Sequence, residues 1–297
     1  MHVIDLPASL DYKAVDALLD QAAASDGKAL IDARHVRWVD PCGIMALLAA
    51  GTRLRDRVGT QPLLRLPEPA EVAGYMARMG FFAAADGIFE MDGKPPRRAT
   101  GGESDVLLEI TPITTNSDVH DVVDKVQGRA GLILSRTLAY PTSAVVQFSV
   151  ILSEVCQNIL EHAEAPGWVG AQAYRWQKRL GKNVLVISVA DMGRGFKGSL
   201  ADEHSARFGD RWGDATALEA AFIHGLTRFP DSGRGQGIQQ IRKQVRRWDG
   251  VISIRSGRAR IADVPAWDDT PPLTDGMQDF PGAQITIILP ARTDDES

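Results

Sequence analysis

The sequence predicts an α/β chain in two units, a small α/β layer followed by a larger sheet covered by helices (α+β). Three observations predict it. The length of 297 residues suits about two domains at a nominal 150 residues each. In the first stretch, short β-like runs (HVIDL, ALIDA, PLLRL) alternate with helical patterns that begin near Asp11, Pro41 and Pro67, an alternation that builds a layer of strands and helices. The segment DGKPPRRATGGES, residues 92–104, then combines prolines, glycines and charge without apolar periodicity, the composition of an exposed linker. The units are therefore expected at 1–92 and 105–297, with 93–104 between them.

Composition narrows the function classes. Hydrophobic residues at 44% and charged residues at 24% exclude a disordered or fibrous chain. Thirty-three Lys and Arg against thirty-eight Asp and Glu leave a net charge of -5, so no global positive field draws the chain to nucleic acid or anionic lipid. The basic stripe Arg242, Lys243, Arg246 and Arg247 reads as a solvated helix face. Cys42 and Cys156 stand far apart and in no CxxC pattern, which suggests two reduced, buried thiols and neither a disulfide framework nor a zinc site. MHVIDLPASLDYK has no basic segment ahead of an apolar run, and no eighteen-residue apolar stretch follows. A soluble, cytoplasmic protein that does not enter a membrane is the expectation.

In the second unit VLLEITPI reads as a strand and about Ser117–Gln127 as a helix. Between Thr142 and His162 the residues Phe148, Leu152, Val155 and Ile159 recur at four, three and four, one buried helical face. NVLVISVA is a buried strand, RGQGIQQIRKQVRRW a helix entered through glycines, VISIRS a strand after an Asp249-Gly250 turn, and AQITIILP the last strand.

Three clusters sit at the ends of these elements. In SEVCQNILEHA, Glu154 and Asn158 lie one helical turn apart, so a carboxylate and a carboxamide can serve one ligand or one Mg²⁺. In ADMGRGFKG, Asp191 ends an apolar strand, and Gly193 and Gly195 permit close backbone approach. Gly193, Gly195 and Gly198 also spell GxGxxG, but SLADEHSARFGDRWGDAT reads as polar and irregular where a dinucleotide-binding fingerprint needs a helix. In SGRGQGIQQIRKQV, Gly233, Gly235 and Gly237 run into an amphipathic helix, a ready site for an anion such as a polyphosphate.

In this order the three clusters resemble the GHKL ATP-binding superfamily of gyrase, the large heat-shock chaperone, histidine kinases and mismatch-repair ATPases. SEVCQNILEHA is similar to its N box, DMGRG to its first glycine box and GRGQG to its second. The resemblance implies a Bergerat-type α/β sandwich in which Asn158 holds Mg²⁺ and Asp191 accepts from the adenine amino group. Gly193 and Gly195 would line the base pocket, Gly233, Gly235 and Gly237 would hold the phosphates of ATP, and about Gly198 to Ser232 would be a mobile lid. One departure stands in PGAQITIILP, where Ala283 replaces the family's usual threonine, leaving Thr286 or a water to compensate.

LSEVCQNILEHA most resembles the anti-sigma-factor serine kinases. Histidine kinases place a phosphoacceptor on a long helical hairpin, and His120 reads instead as an exposed helical residue. His162 is expected to pack beside the site. ALIDARHVRWVDPCGIMALLAA resembles the STAS fold of anti-sigma-factor antagonists, whose switch turn matches Asp40, Pro41, Cys42 and Gly43. Pro41 stands where those antagonists carry the phosphorylated hydroxyl. The resemblances together imply a regulatory ATP-binding protein for signal transduction, a Mg-ATP-dependent serine/threonine-type kinase or an ATPase, with Glu154 as the catalytic residue. Its implied partners are proteins: a sigma factor, a STAS protein, another regulator or a second copy of the chain. The alternative is a non-catalytic module that senses ATP and docks a partner through the STAS-like unit.

Overall fold

In the computed structural model, which describes residues 1–97, 106–177, 179–227 and 237–292, the chain starts with a parallel layer. In order come β1 (His2–Asp5), β2 (Ser9–Leu10), α1 (Val15–Ala24), β3 (Ala29–Asp32), β4 (Trp38–Val39), α2 (Pro41–Val58), β5 (Leu63–Arg65), α3 (Ala70–Arg78), α4 (Phe81–Ala84) and β6 (Glu90–Asp92). β1, β3, β5 and β6 form a sheet in that order, every pair parallel, and β2 pairs with β4 apart from it. Parallel neighbours need crossovers, which the helices supply. The three expected strands are β1, β3 and β5. The helices begin at Val15, Pro41 and Ala70, so two of the expected starts lie a few residues early, ahead of the helices.

The helix α2 organises the molecule. Asp40 caps it by accepting from the Gly43 N–H at 3.0 Å, Pro41 holds the first turn, and Gly59 ends it at a φ of 74°. Every residue from Pro41 to Thr52 is buried, and a helix apolar on all sides must be covered on all sides. Ile4, Ile31 and Leu64 of the small sheet cover one side; Val184, Val186, Ala190 and Ile288 of a second sheet cover the other.

That second sheet belongs to the rest of the chain. After β7 (Val106–Ile113) come α5 (Asn116–Leu132), α6 (Thr142–Asn158), β8 (Gly167–Trp176), β9 (Lys182–Asp191), α7 (Gly195–Phe208), α8 (Asp214–Phe222), α9 (Gly237–Arg247), β10 (Val251–Gly257), β11 (Ala259–Asp263), β12 (Leu273–Thr274) and β13 (Phe280–Pro290). The strand order is β12-β11-β10-β13-β9-β8-β7, antiparallel throughout. Strand alternation divides β9 between two cores: Leu185, Ile187 and Val189 meet Phe148, Leu152 and Val155 of α6, whereas Val184, Val186 and Ala190 meet the α1 and α2 side. The layers thus run small sheet, α1 and α2, large sheet, outer helices. Cys42 and Cys156 are free and buried. Among the described residues no helix is long and apolar enough to cross a membrane.

Polar bonds close the seam between the N-terminal layer and the large sheet. Arg255 of β10, only 4% exposed, meets Asp16 at 3.1 Å and Asp20 at 2.5 Å on α1, and Arg260 pairs with Asp16. Lys13 reaches Asp268 at 3.1 Å, and Tyr12 bonds the same carboxylate. Asp40 lies fully inside the seam, where Tyr174 Oη donates to it at 3.3 Å. Burial pushes its carboxyl up to about 7, against the opposing bond from Gly43. An acid whose folded pKa is raised contributes stability below its unfolded value, and that contribution is lost as pH rises towards about 7. Asp40→Asn, which keeps a capping oxygen, is therefore expected to flatten this loss. Urea midpoints for both proteins at pH 5 and pH 8 check it: the wild type should lose more between them than the variant.

Two expectations for the second unit are corrected. The stretch SLADEHSARFGDRWGDAT, expected to be polar and irregular, is largely helical, and helix continues to Phe222, with Leu200, Ala217, Leu218 and Phe222 buried; residues 228–232 of the expected lid lie outside the described residues. A helix does open at the Gly195 position, so that ground for rejecting a dinucleotide fingerprint fails. The rejection holds on topology, because β9 pairs only antiparallel with β8 and β13 and the fingerprint needs a parallel βαβ unit. The expected Ser117–Gln127 helix runs longer, and β6, β8, β11 and β12 were not expected.

Candidate functional site

Two of the three sequence clusters, with Gly237 of the third, meet around the end of α6. Glu154 and Asn158 are half-buried on the last turns of α6, whose buried face carries Phe148, Leu152 and Val155. Glu154 reaches the start of α9: a Cβ placed on Gly237 would overlap Glu154 Oε2, so the carboxylate rests against that glycine. Asn158 Nδ2 is buried without a hydrogen-bond partner among the described residues. A buried amide left this way costs about 1 to 3 kcal/mol, and it suits a site completed by a ligand.

Past Asn158 the helix widens into a π-type turn, Ile159–Ala163, and ends at Glu164 with a φ of 56°. Turns of this kind often sit at functional positions. Here the turn delivers the Ala163 carbonyl to the DMGRG loop, where it accepts from the Arg194 N–H at 3.2 Å. Gly193 allows this approach, since a Cβ there would overlap the Ala163 carbonyl. Arg194 and Glu164 pair at 2.8 Å across the same junction.

Asp191, 8% exposed, ends β9 at this loop. Its Oδ1 accepts from Gly193 N at 2.9 Å and from Ala283 N at 3.3 Å. Burial raises the carboxyl to about 6, and the two backbone bonds oppose the rise. Gly195 has a φ of 63° and is crowded by Ser256 Oγ, which accepts from Phe196 N at 3.0 Å and donates to the Gly282 carbonyl at 2.9 Å. Gly282 has a φ of 76°, and a Cβ on it would overlap the Asp191 carbonyl. Ser256 and Gly282 were missed in the sequence, although the glycine of PGAQ was a usable signal.

The structure thus brings together Glu154 with Gly237, and the turn after Asn158 with Gly193 and Asp191. Gly233 and Gly235 lie outside the described residues. His120 is exposed, and the His162 side chain is also outside them. Thr286 cannot stand in for the threonine that Ala283 replaces: its Oγ1 faces the N-terminal layer, 3.3 Å from Cys42 Sγ. Arg242 is not simply solvated, for it pairs with Asp263 at 2.6 Å and stacks on Phe222. Among the described residues no three His, Cys, Asp or Glu side chains form a metal cluster.

The turn Asp40 to Gly43 is buried under the sheet face opposite this site, with the Cys42 carbonyl accepting from Gln284 Nε2 at 3.2 Å. A small cleft lined by Leu19, Ala49, Arg255, Phe280 and Gln284 reaches Asp191 from that same side. It is separate from the corner formed by Glu154 and Asn158. No protein-family model matches the chain, and no curated protein matches it.

Proposed function

We propose that the chain is a regulatory ATP-binding protein of the GHKL class, binding Mg-ATP at the end of the seven-stranded sheet through Asp191, Asn158 and Glu154. The observation that carries this reading is the buried Asp191 carboxyl. Two backbone N–H groups fix its Oδ1, which leaves Oδ2 to accept from an exocyclic amino group such as that of adenine. Gly193 and Gly282 let the backbone pack closely at this loop, Gly193 against the Ala163 carbonyl and Gly282 against that of Asp191.

The donor set fits the metal and nucleotide as well. The Asn158 carboxamide, whose Nδ2 has no partner among the described residues, can turn its oxygen to Mg²⁺, and the start of α9 at Gly237 is a helix N-terminus of the kind that suits phosphate. Magnesium bound there would neutralise phosphate charge. Glu154, next to Gly237, is placed to orient or deprotonate the acceptor, a hydroxyl of a partner protein in a kinase or water in an ATPase.

One observation favours the non-catalytic, ATP-sensing version. Pro41 offers no hydroxyl, and the turn around it is closed beneath the sheet, so that turn presents no acceptor to its own ATP unit. The test is incubation of the full chain with γ-labelled Mg-ATP, alone and with a STAS protein or sigma factor, separating protein-bound label from free phosphate. Label on the partner supports a kinase, free phosphate an ATPase, and tight binding without turnover a sensor. Absence of ATP binding overturns the reading.

A further inference from the structure

We infer that Gln284 is a positioning residue through which the N-terminal turn Asp40 to Gly43 holds the Asp191 carboxyl in place. β13 presents successive side chains to opposite faces of the sheet. Gln284 and Thr286 face the N-terminal layer, whereas Ile285 and Ile287 join the core beneath α6. The Gln284 side chain donates to the Cys42 carbonyl at 3.2 Å. One residue earlier, the Ala283 N–H donates to Asp191 Oδ1 at 3.3 Å. A bond across the layers and a bond to the candidate site therefore hang on neighbouring residues of one strand, joined by a single planar peptide.

Gln284 is expensive where it stands. It is 7% exposed, and its Oε1 has no partner among the described residues, in a strand otherwise rich in Ile and Leu. An apolar residue would avoid that loss, so packing does not account for the amide. Among the described residues, the amide supplies the one side-chain bond from β13 to the backbone of the turn. The Cys42 Sγ and Thr286 Oγ1 contact at 3.3 Å lies two residues further along the strand, away from Ala283.

Among the described residues no charged side chain sets the Asp191 environment. Burial raises its carboxyl and the Gly193 and Ala283 amides lower it, while Arg255, which shares the cleft wall, is engaged with Asp16 and Asp20. If Gln284 lets go of Cys42, the long Ala283 bond weakens first, and the carboxyl moves up. The consequence for nucleotide binding rests on the ATP reading; the positioning itself does not.

The test follows the Asp191 carboxyl carbon by ¹³C NMR across pH in the full chain, with the signal assigned by its loss in Asp191→Asn. Gln284→Met keeps length and removes the bond, and Gln284→Leu serves if the first variant does not fold. Cys42→Ala and Thr286→Val disturb the same seam but leave the Cys42 carbonyl in place. The Gln284 variants are expected to raise the Asp191 midpoint by about half a unit to one unit and to weaken ATP roughly three- to tenfold by calorimetry. Cys42→Ala and Thr286→Val should leave the midpoint where it is. An unchanged midpoint in the Gln284 variants, or an equal shift in Cys42→Ala, overturns the inference. If the wild type binds no ATP, the nucleotide reading falls and the carboxyl titration still decides the positioning.

Discussion

Asp191→Asn is expected to weaken ATP about ten- to a hundredfold, the 1.5 to 3 kcal/mol of a lost charge-assisted bond, without loss of fold stability at pH 7.5. The two effects part because the carboxylate is costly to the folded chain. Its pKa is about 6 when folded against 3.8 as a reference, so the native state holds the proton more tightly than the unfolded chain. Stability from that proton is full below the unfolded value and is lost as pH rises through about 6. Ionised at pH 7.5, Asp191 costs roughly 3 kcal/mol by this linkage. The asparagine carries no charge and still offers an oxygen to the Gly193 and Ala283 amides. For the ligand it is different: an amide nitrogen turned towards the adenine amino group sets donor against donor. The wild type should accordingly lose ATP affinity below about pH 6, and the variant should show no such dependence. Calorimetry across pH, with urea midpoints beside it, checks both. A variant that binds ATP like the wild type removes Asp191 from the site.

Much of this site was legible because its signals are local. The four, three, four spacing of Phe148, Leu152, Val155 and Ile159 needs only a helix to be read, and all four are buried. Asp191 at the end of an apolar run, followed by glycines, marks a strand end whatever the strand pairs with. β8 was invisible for a physical reason: GWVGAQAYRW mixes glycine and alanine into the strand, and small residues blunt the period-two signal. α7 was hidden similarly, since only Ser199 and Leu200 of its residues are buried, too few for an apolar stripe.

The seam was illegible because it is long-range. Arg255 sits in VISIRS, where a strand arginine reads as solvent-facing, and its partners Asp16 and Asp20 lie 239 and 235 residues away. Nothing near Gln284 in sequence points to the Cys42 carbonyl. One signal was available: PCGIMALLAAG is apolar on every side, and such a helix requires a second covering layer. That layer is the face of the large sheet, so the turn Asp40 to Gly43 is covered within the chain.

Phe148→Ala is expected to carry the largest stability loss, about 3 to 5 kcal/mol for a fully buried phenylalanine. Phe148 is among the largest side chains with no exposure, and it packs with Leu152, Val155, Leu185 and Ile187 between α6 and the sheet. Removing the ring withdraws contacts from both layers at once, and strands β9 and β13 are held by hydrogen bonds that limit collapse into the space. Because α6 carries Glu154 and Asn158 about two and three turns further on, the loss should reach nucleotide binding too on the proposed ATP reading. Ligand cannot fully restore it: at a hundred times the dissociation constant, binding adds only about 2.7 kcal/mol. Urea unfolding with and without ATP should therefore leave Phe148→Ala below the wild type at every nucleotide concentration up to that ratio. Val146, on the same helix but 67% exposed, is the control, and Val146→Ala should stay within about 0.5 kcal/mol of the wild type. Equal losses from the two substitutions would mean that α6 does not bury the face its spacing predicts.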